Sequence, residues 1–127
     1  MIRLEHANVT VSDPDATAAW LGEVFGWTVR WSGPAMQTGR SVHVGTSEGY
    51  VALFSPGETT PTSEDSYRTA GMLNHLAVFT DEDIDAVEAR VRKAGFTPGT
   101  QYDYAPGRRF YFDDHDGIEW EVASHQT

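Results

Sequence analysis

The feature that most constrains this chain is an internal repeat. Moving the sequence by 69 residues lays His6 on His75, Val9 on Val78, Gly26 on Gly95, Trp27 on Phe96, Thr28 on Thr97 and Arg40 on Arg109. A chain that repeats at this interval is expected to build one supersecondary unit twice. In the first copy, residues 3 to 11 alternate as a strand, and Ser12-Asp13-Pro14-Asp15 supplies the signals that start a helix. Thr17, Trp20, Leu21, Val24 and Phe25 have the spacing of a core-facing helical stripe, which Gly26 ends. Strands are expected at 27–31, 40–45 and 50–55. In the second copy, His75 to Phe79 reads as a strand. Thr80 caps a helix opened by Asp81-Glu82-Asp83, faced by Ile84, Val87, Val91 and Ala94 and ended by Gly95. Strands follow at 96–101, 109–113 and 118–123. Residues 56–71 carry two prolines and no apolar period, so a linker or mobile loop is expected there. The chain therefore reads as one α+β domain of two βαβββ modules, about 1–55 and 72–127, joined by that loop.

Charge and composition narrow the partners. With 19 acidic and 9 basic residues the net charge is −10, which repels phosphate backbones and anionic lipid surfaces. Neither nucleic acid nor membrane is an expected partner. The absence of cysteine excludes disulfides, thiolate ligands and a cysteine nucleophile. Met1 to His6 carries charges where a signal peptide needs an apolar core, and no apolar run reaches membrane-spanning length, so a cytoplasmic protein is expected.

His6 and His75 occupy equivalent places in the repeat, and Glu121 falls on Ala52 under the same shift. Because strand side chains alternate between faces, equivalent positions present their side chains in the same sense. Two imidazoles and one carboxylate suit iron, manganese, zinc or nickel, and they leave coordination positions open. The same spacing also follows if the copies share only ancestry and enclose a metal-free cavity.

Tyr111-Phe-Asp-Asp-His-Asp-Gly-Ile-Glu-Trp-Glu121, the two histidines and the doubled βαβββ pattern together resemble the vicinal oxygen chelate superfamily, over nearly the whole chain. That group contains glyoxalase I, extradiol dioxygenases, fosfomycin-resistance enzymes, methylmalonyl-CoA epimerase and bleomycin-resistance proteins. The resemblance implies curved mixed sheets around a shared cavity, a homodimer, and a divalent metal ion on His6, His75 and Glu121. Ala52 would take the fourth ligand position, which argues against glyoxalase I chemistry. Extradiol dioxygenases and fosfomycin-resistance enzymes both use two histidines and a glutamate, with a tyrosine placed as Tyr111 is. Two departures stand out: His115 replaces the family's usual proline, and Asn8 stands where the fosfomycin enzymes have threonine.

Tyr111, Glu119 and His43 are the candidate catalytic residues: a substrate-orienting phenol, a carboxylate on the strand face of Glu121, and a proton carrier. Asn8, Trp31, Ala52, Phe54, Tyr102, Tyr104 and Arg109 are the candidate pocket. Trp31 shares the parity of Trp27 and joins the pocket only if its strand twists or ends before it. The function expected is a metal-dependent enzyme acting on a small substrate that chelates the metal through adjacent oxygens, leaning to a dioxygenase. The alternative is a metal-free protein that sequesters an aromatic drug or metabolite.

Overall fold

A computed structural model describes residues 1–36, 38–62, 65–105 and 107–125. The chain divides into two compact units, Met1–Thr60 and Pro61–Thr127. The first contains β1 (His6–Thr10), α1 (Pro14–Phe25), β2 (Thr28–Pro34), β3 (Arg40–Gly45) and β4 (Tyr50–Ser55), with sheet order β1-β4-β3-β2. The second contains β5 (Leu76–Phe79), α2 (Ile84–Lys93), β6 (Tyr102–Tyr104), β7 (Gly107–Asp113) and β8 (Glu119–Ala123), in the matching order β5-β8-β7-β6. In each sheet the first strand runs parallel to the last and the remaining pairs are antiparallel, so both sheets are mixed.

Each sheet buries one face. In the first unit Val42, Val44, Val51 and Leu53 are buried, as are Thr17, Trp20, Leu21 and Val24 of α1. Asp13 caps α1 by accepting the Ala16 N–H at 3.1 Å, and Gly26 ends it at φ 72°, a conformation that glycine adopts without strain. In the second unit Phe110, Phe112, Trp120 and Val122 are buried together with Ile84, Val87 and Val91 of α2. Arg108, on the Phe110 face of β7, bonds Asp85 of α2 at 2.8 Å and so ties the helix to that face. Among the described residues no helix is long and apolar enough to cross a membrane.

Four details depart from the sequence reading. Residues 96–101 form no strand, and the fourth strand of the second sheet is Tyr102–Tyr104. Pro98 has no N–H to give a ladder, and the neighbouring Gly99 makes a lone backbone bond to the Tyr111 carbonyl at 2.8 Å. Helix α2 begins at Ile84 with Asp83 as its cap; the Thr80 hydroxyl instead accepts the Glu82 N–H in a turn before it. His75 immediately precedes β5 rather than opening it.

The fourth concerns the repeat itself. Arg40 pairs with Ser55 and bonds Asp15 of α1, whereas Arg109 pairs with Ala123 and bonds Glu121. The two arginines therefore point to opposite sheet faces. A single residue of difference in chain length ahead of β7 moves its register by one, which turns every side chain over. By register the counterparts are Ser41 for Arg109 and His43 for Tyr111.

The β7–β8 turn sets that register. Asp114 is buried and accepts N–H groups from Asp116 at 2.9 Å and Ile118 at 3.0 Å on one oxygen, and the Trp120 indole at 3.1 Å on the other. Burial pushes its carboxyl up from the ordinary value, against the hydrogen bonds that pull it down. The folded chain thus holds this proton more tightly than the unfolded chain. Asp114's contribution is greatest below the ordinary carboxylate range and declines as pH rises through the raised value. Asp114→Asn should lower stability by about 1–3 kcal/mol in urea unfolding near neutrality, because Asn keeps one acceptor oxygen where the turn uses two. The gap from wild type should widen on acidification; a gap that narrows contradicts this account.

Candidate active site

The open face of the second sheet is organised around Glu121. Register places Tyr111 and Ala77 beside it, and Glu119 lies two residues earlier on the same face. Glu121 is only 6% exposed, so its charge needs local partners. Arg109 Nη1 donates to Oε2 at 2.9 Å, His75 Nε2 lies 3.1 Å from Oε1, and Tyr111 stands directly opposite on the neighbouring strand. Burial first, and then the neighbouring Glu121, push the Tyr111 phenol up to about 12, so it stays a proton donor at physiological pH.

The tautomer of His75 follows from its other nitrogen. Nδ1 lies 2.6 Å from the Asn74 side-chain oxygen, which only accepts, so Nδ1 carries the proton. In the neutral ring Nε2 then presents a lone pair to a carboxylate oxygen. Two acceptors at 3.1 Å need a proton or a metal cation between them. Two donors bound at about 2.1 Å to one ion at a right angle lie about 3 Å apart, so the pair fits adjacent positions on a metal. Among the described residues no group of three or more His, Asp or Glu side chains converges to hold one. The donor pair fits a metal; a third ligand is not assembled beside it.

Glu119 is half-buried, 3.9 Å from His75 Nδ1, and accepts a hydrogen bond from the Tyr67 hydroxyl. Tyr67 stands in the connecting segment, in a turn held by Asp65, whose side chain accepts the Tyr67 N–H at 3.0 Å. Neither Tyr67 nor Asn74 was among the residues singled out from sequence. Signals existed: Tyr67 is the sole aromatic in 56–71, and Asn74 adjoins a candidate ligand. Tyr104 lies beneath the Arg109 guanidinium at 5.1 Å, and Tyr102 packs beside Tyr104.

The first unit's open face carries rings instead of carboxylates. His6 stacks on Tyr50 at 4.9 Å, Tyr50 on His43 at 4.7 Å, and Trp31 leans on His43 at 5.0 Å. Glu5 accepts from Tyr50 and pairs with His6 Nδ1, and Arg30 lies over the Tyr50 ring at 4.6 Å. Trp31 reaches this face because the β2–β3 register shifts between Val29 and Trp31, reversing the parity it would share with Trp27. Its ring folds over Gly33, where a Cβ would come within 2.9 Å. Ala52 lies between Asn8 and His43 on this face, 1% exposed, and Phe54 is two residues on.

Two copies of a βαβββ unit, each a mixed sheet with one helix-covered and one open face, define the fold class. The chain belongs to the Glyoxalase/Bleomycin resistance protein/Dioxygenase superfamily, whose family model matches residues 3–122. Solved structures agree in fold. A glyoxylase/bleomycin resistance protein/dioxygenase domain from Frankia sp. EAN1pec is 24% identical with a TM-score of 0.80, over 98% of this chain and 92% of that one. The fosfomycin resistance protein FosX from Mesorhizobium loti is 26% identical with a TM-score of 0.74, over 97% and 92%. FosX from Listeria monocytogenes, solved with Mn(II) and a sulfate ion, is 21% identical with a TM-score of 0.75, over 98% and 93%. No curated protein matched the chain.

The Tyr67 phenol is pushed up to about 12, chiefly by its bond to Glu119. Ultraviolet titration should therefore contain late transitions from both Tyr67 and Tyr111, of which Tyr67→Phe removes one and Glu119→Gln returns one toward the ordinary range near 10.0. A titration unchanged in both variants contradicts the contact.

Proposed function

We propose that this chain is a metal-dependent enzyme of the vicinal oxygen chelate type, with His6, His75 and Glu121 as ligands to a divalent ion. The observation that carries the reading is the His75 Nε2 to Glu121 Oε1 pair at 3.1 Å, with Nδ1 committed to Asn74. That arrangement orients a ligating imidazole and fixes its tautomer. Bound there, the ion would act as a Lewis acid and hold a small substrate through two adjacent oxygens.

The chain's own residues supply the rest. Tyr111, neutral at physiological pH and beside Glu121, donates a hydrogen bond to a substrate oxygen. Glu119 accepts a proton once the Tyr67 hydroxyl is displaced from it. His43 is the proton carrier assigned to the first unit. Asn8, Trp31, Ala52, Phe54, Tyr102 and Tyr104 line the pocket, and a homodimer is the working assembly. Held by two imidazoles and one carboxylate, the ion would supply open positions for substrate and for O₂, and the reading leans to oxygen-dependent chemistry.

A second reading has its own observation in its favour. The ladder of Trp31, His43, Tyr50 and His6, with the Arg30 cation above it, is a stacking platform that a planar ligand fits without metal.

Elemental analysis of anaerobically purified protein separates the two. The enzyme reading expects near-stoichiometric divalent metal in wild type, lost in His75→Ala and Glu121→Ala. Iron or manganese would favour oxygen chemistry, and zinc or nickel an isomerase or lyase. No metal even after reconstitution, with aromatic ligands still quenching tryptophan fluorescence in Glu121→Ala, would transfer the assignment to the binding protein.

A further inference from the structure

We infer that Arg109 is a positioning residue that holds Glu121 with Oε1 turned toward His75 Nε2, in the attitude of a ligand. The inference rests on the metal site proposed above and assigns a role that concerns the carboxylate rather than the substrate. Arg109 Nη1 occupies Oε2 of Glu121 at 2.9 Å, and Oε1 alone faces His75 Nε2. A carboxylate gripped by an arginine on one oxygen presents the other in a fixed direction.

Two further observations support it. The guanidinium is held from the other side by the Tyr104 ring at 5.1 Å. The repeat supplies an internal control. In the first unit the register counterpart of Glu121 is Ala52, and the counterpart of Arg109 is Ser41. The unit without the carboxylate has no arginine on that face of the equivalent strand.

Mn(II) titration followed by electron paramagnetic resonance, on wild type, Arg109→Lys and Arg109→Gln, tests the role. A cation acting only through space would repel the metal. Its removal in Arg109→Gln would then tighten Mn(II), and Arg109→Lys would change nothing. Positioning predicts the opposite: both variants bind Mn(II) about 10- to 100-fold more weakly, because loss of an outer partner releases the ligand. Tighter binding in Arg109→Gln, or wild-type binding in Arg109→Lys, overturns the inference. Nitrogen-15 chemical shifts of the His75 ring in metal-free protein give an independent reading, with circular dichroism establishing that each variant is folded. If Arg109 holds Glu121 against His75, the Nε2 signal moves in both variants, and an unmoved signal overturns the inference. Absence of Mn(II) binding by wild type would count against the proposed metal site, and the Nε2 signal would still decide whether Arg109 positions Glu121.

Discussion

A carboxylate held almost out of water is the constraint on which the second unit depends. Glu121, only 6% exposed, is met by Arg109 at 2.9 Å on one oxygen and by His75 at 3.1 Å on the other. Arg109 comes from the adjacent strand, Tyr111 from the position directly opposite, and His75 from the chain just before the parallel strand. Each arrives through sheet register, and the β7–β8 register depends on the Asp114 turn, the buried indole of Trp120 and the apolar face of Phe110, Phe112 and Val122. The closed face of the sheet thus fixes the chemistry of the open one.

The two units show one architecture carrying two kinds of surface. Strand order, parallel pairing and helix placement are shared. The open faces differ at matched positions: Tyr50 for Glu119, Ala52 for Glu121, His43 for Tyr111 and Ser41 for Arg109. One unit has a stacked row of rings and the other a compact cluster of ionisable groups. Duplicated folds diverge readily in this way, because open-face residues bear little of the packing that defines the unit.

Much of the architecture was legible in the sequence because it is encoded locally. The Asp13-Pro14 start and Gly26 stop of α1 are properties of a few adjacent residues, and β3 and β4 begin and end where alternation and turn residues place them. The resemblance set His75 and Glu121 at one site, and the two side chains lie 3.1 Å apart although His75 falls just outside its strand. What escaped was set by register. Equating Arg40 with Arg109 assumed a constant offset, and one residue of slippage reversed the face. Trp31 changed sides at a bulge that alternation cannot reveal. Residues 96–101 had strand-like content, but Pro98 removed a donor the ladder needed. Tyr67 reaches Glu119 across 52 residues of sequence from a loop with no periodicity, so no local pattern connects them.

The central claim is that a cation belongs between His75 Nε2 and Glu121 Oε1. Crystals grown with Mn(II) and measured at the manganese absorption edge test it directly, because the anomalous signal locates the ion whatever the substrate is. The account predicts a peak within bonding distance of both atoms, with Arg109 still on the other carboxylate oxygen. A peak elsewhere, or none while His75 and Glu121 remain in direct contact, would mean that a proton fills this gap and that the pair is an ordinary buried ion pair.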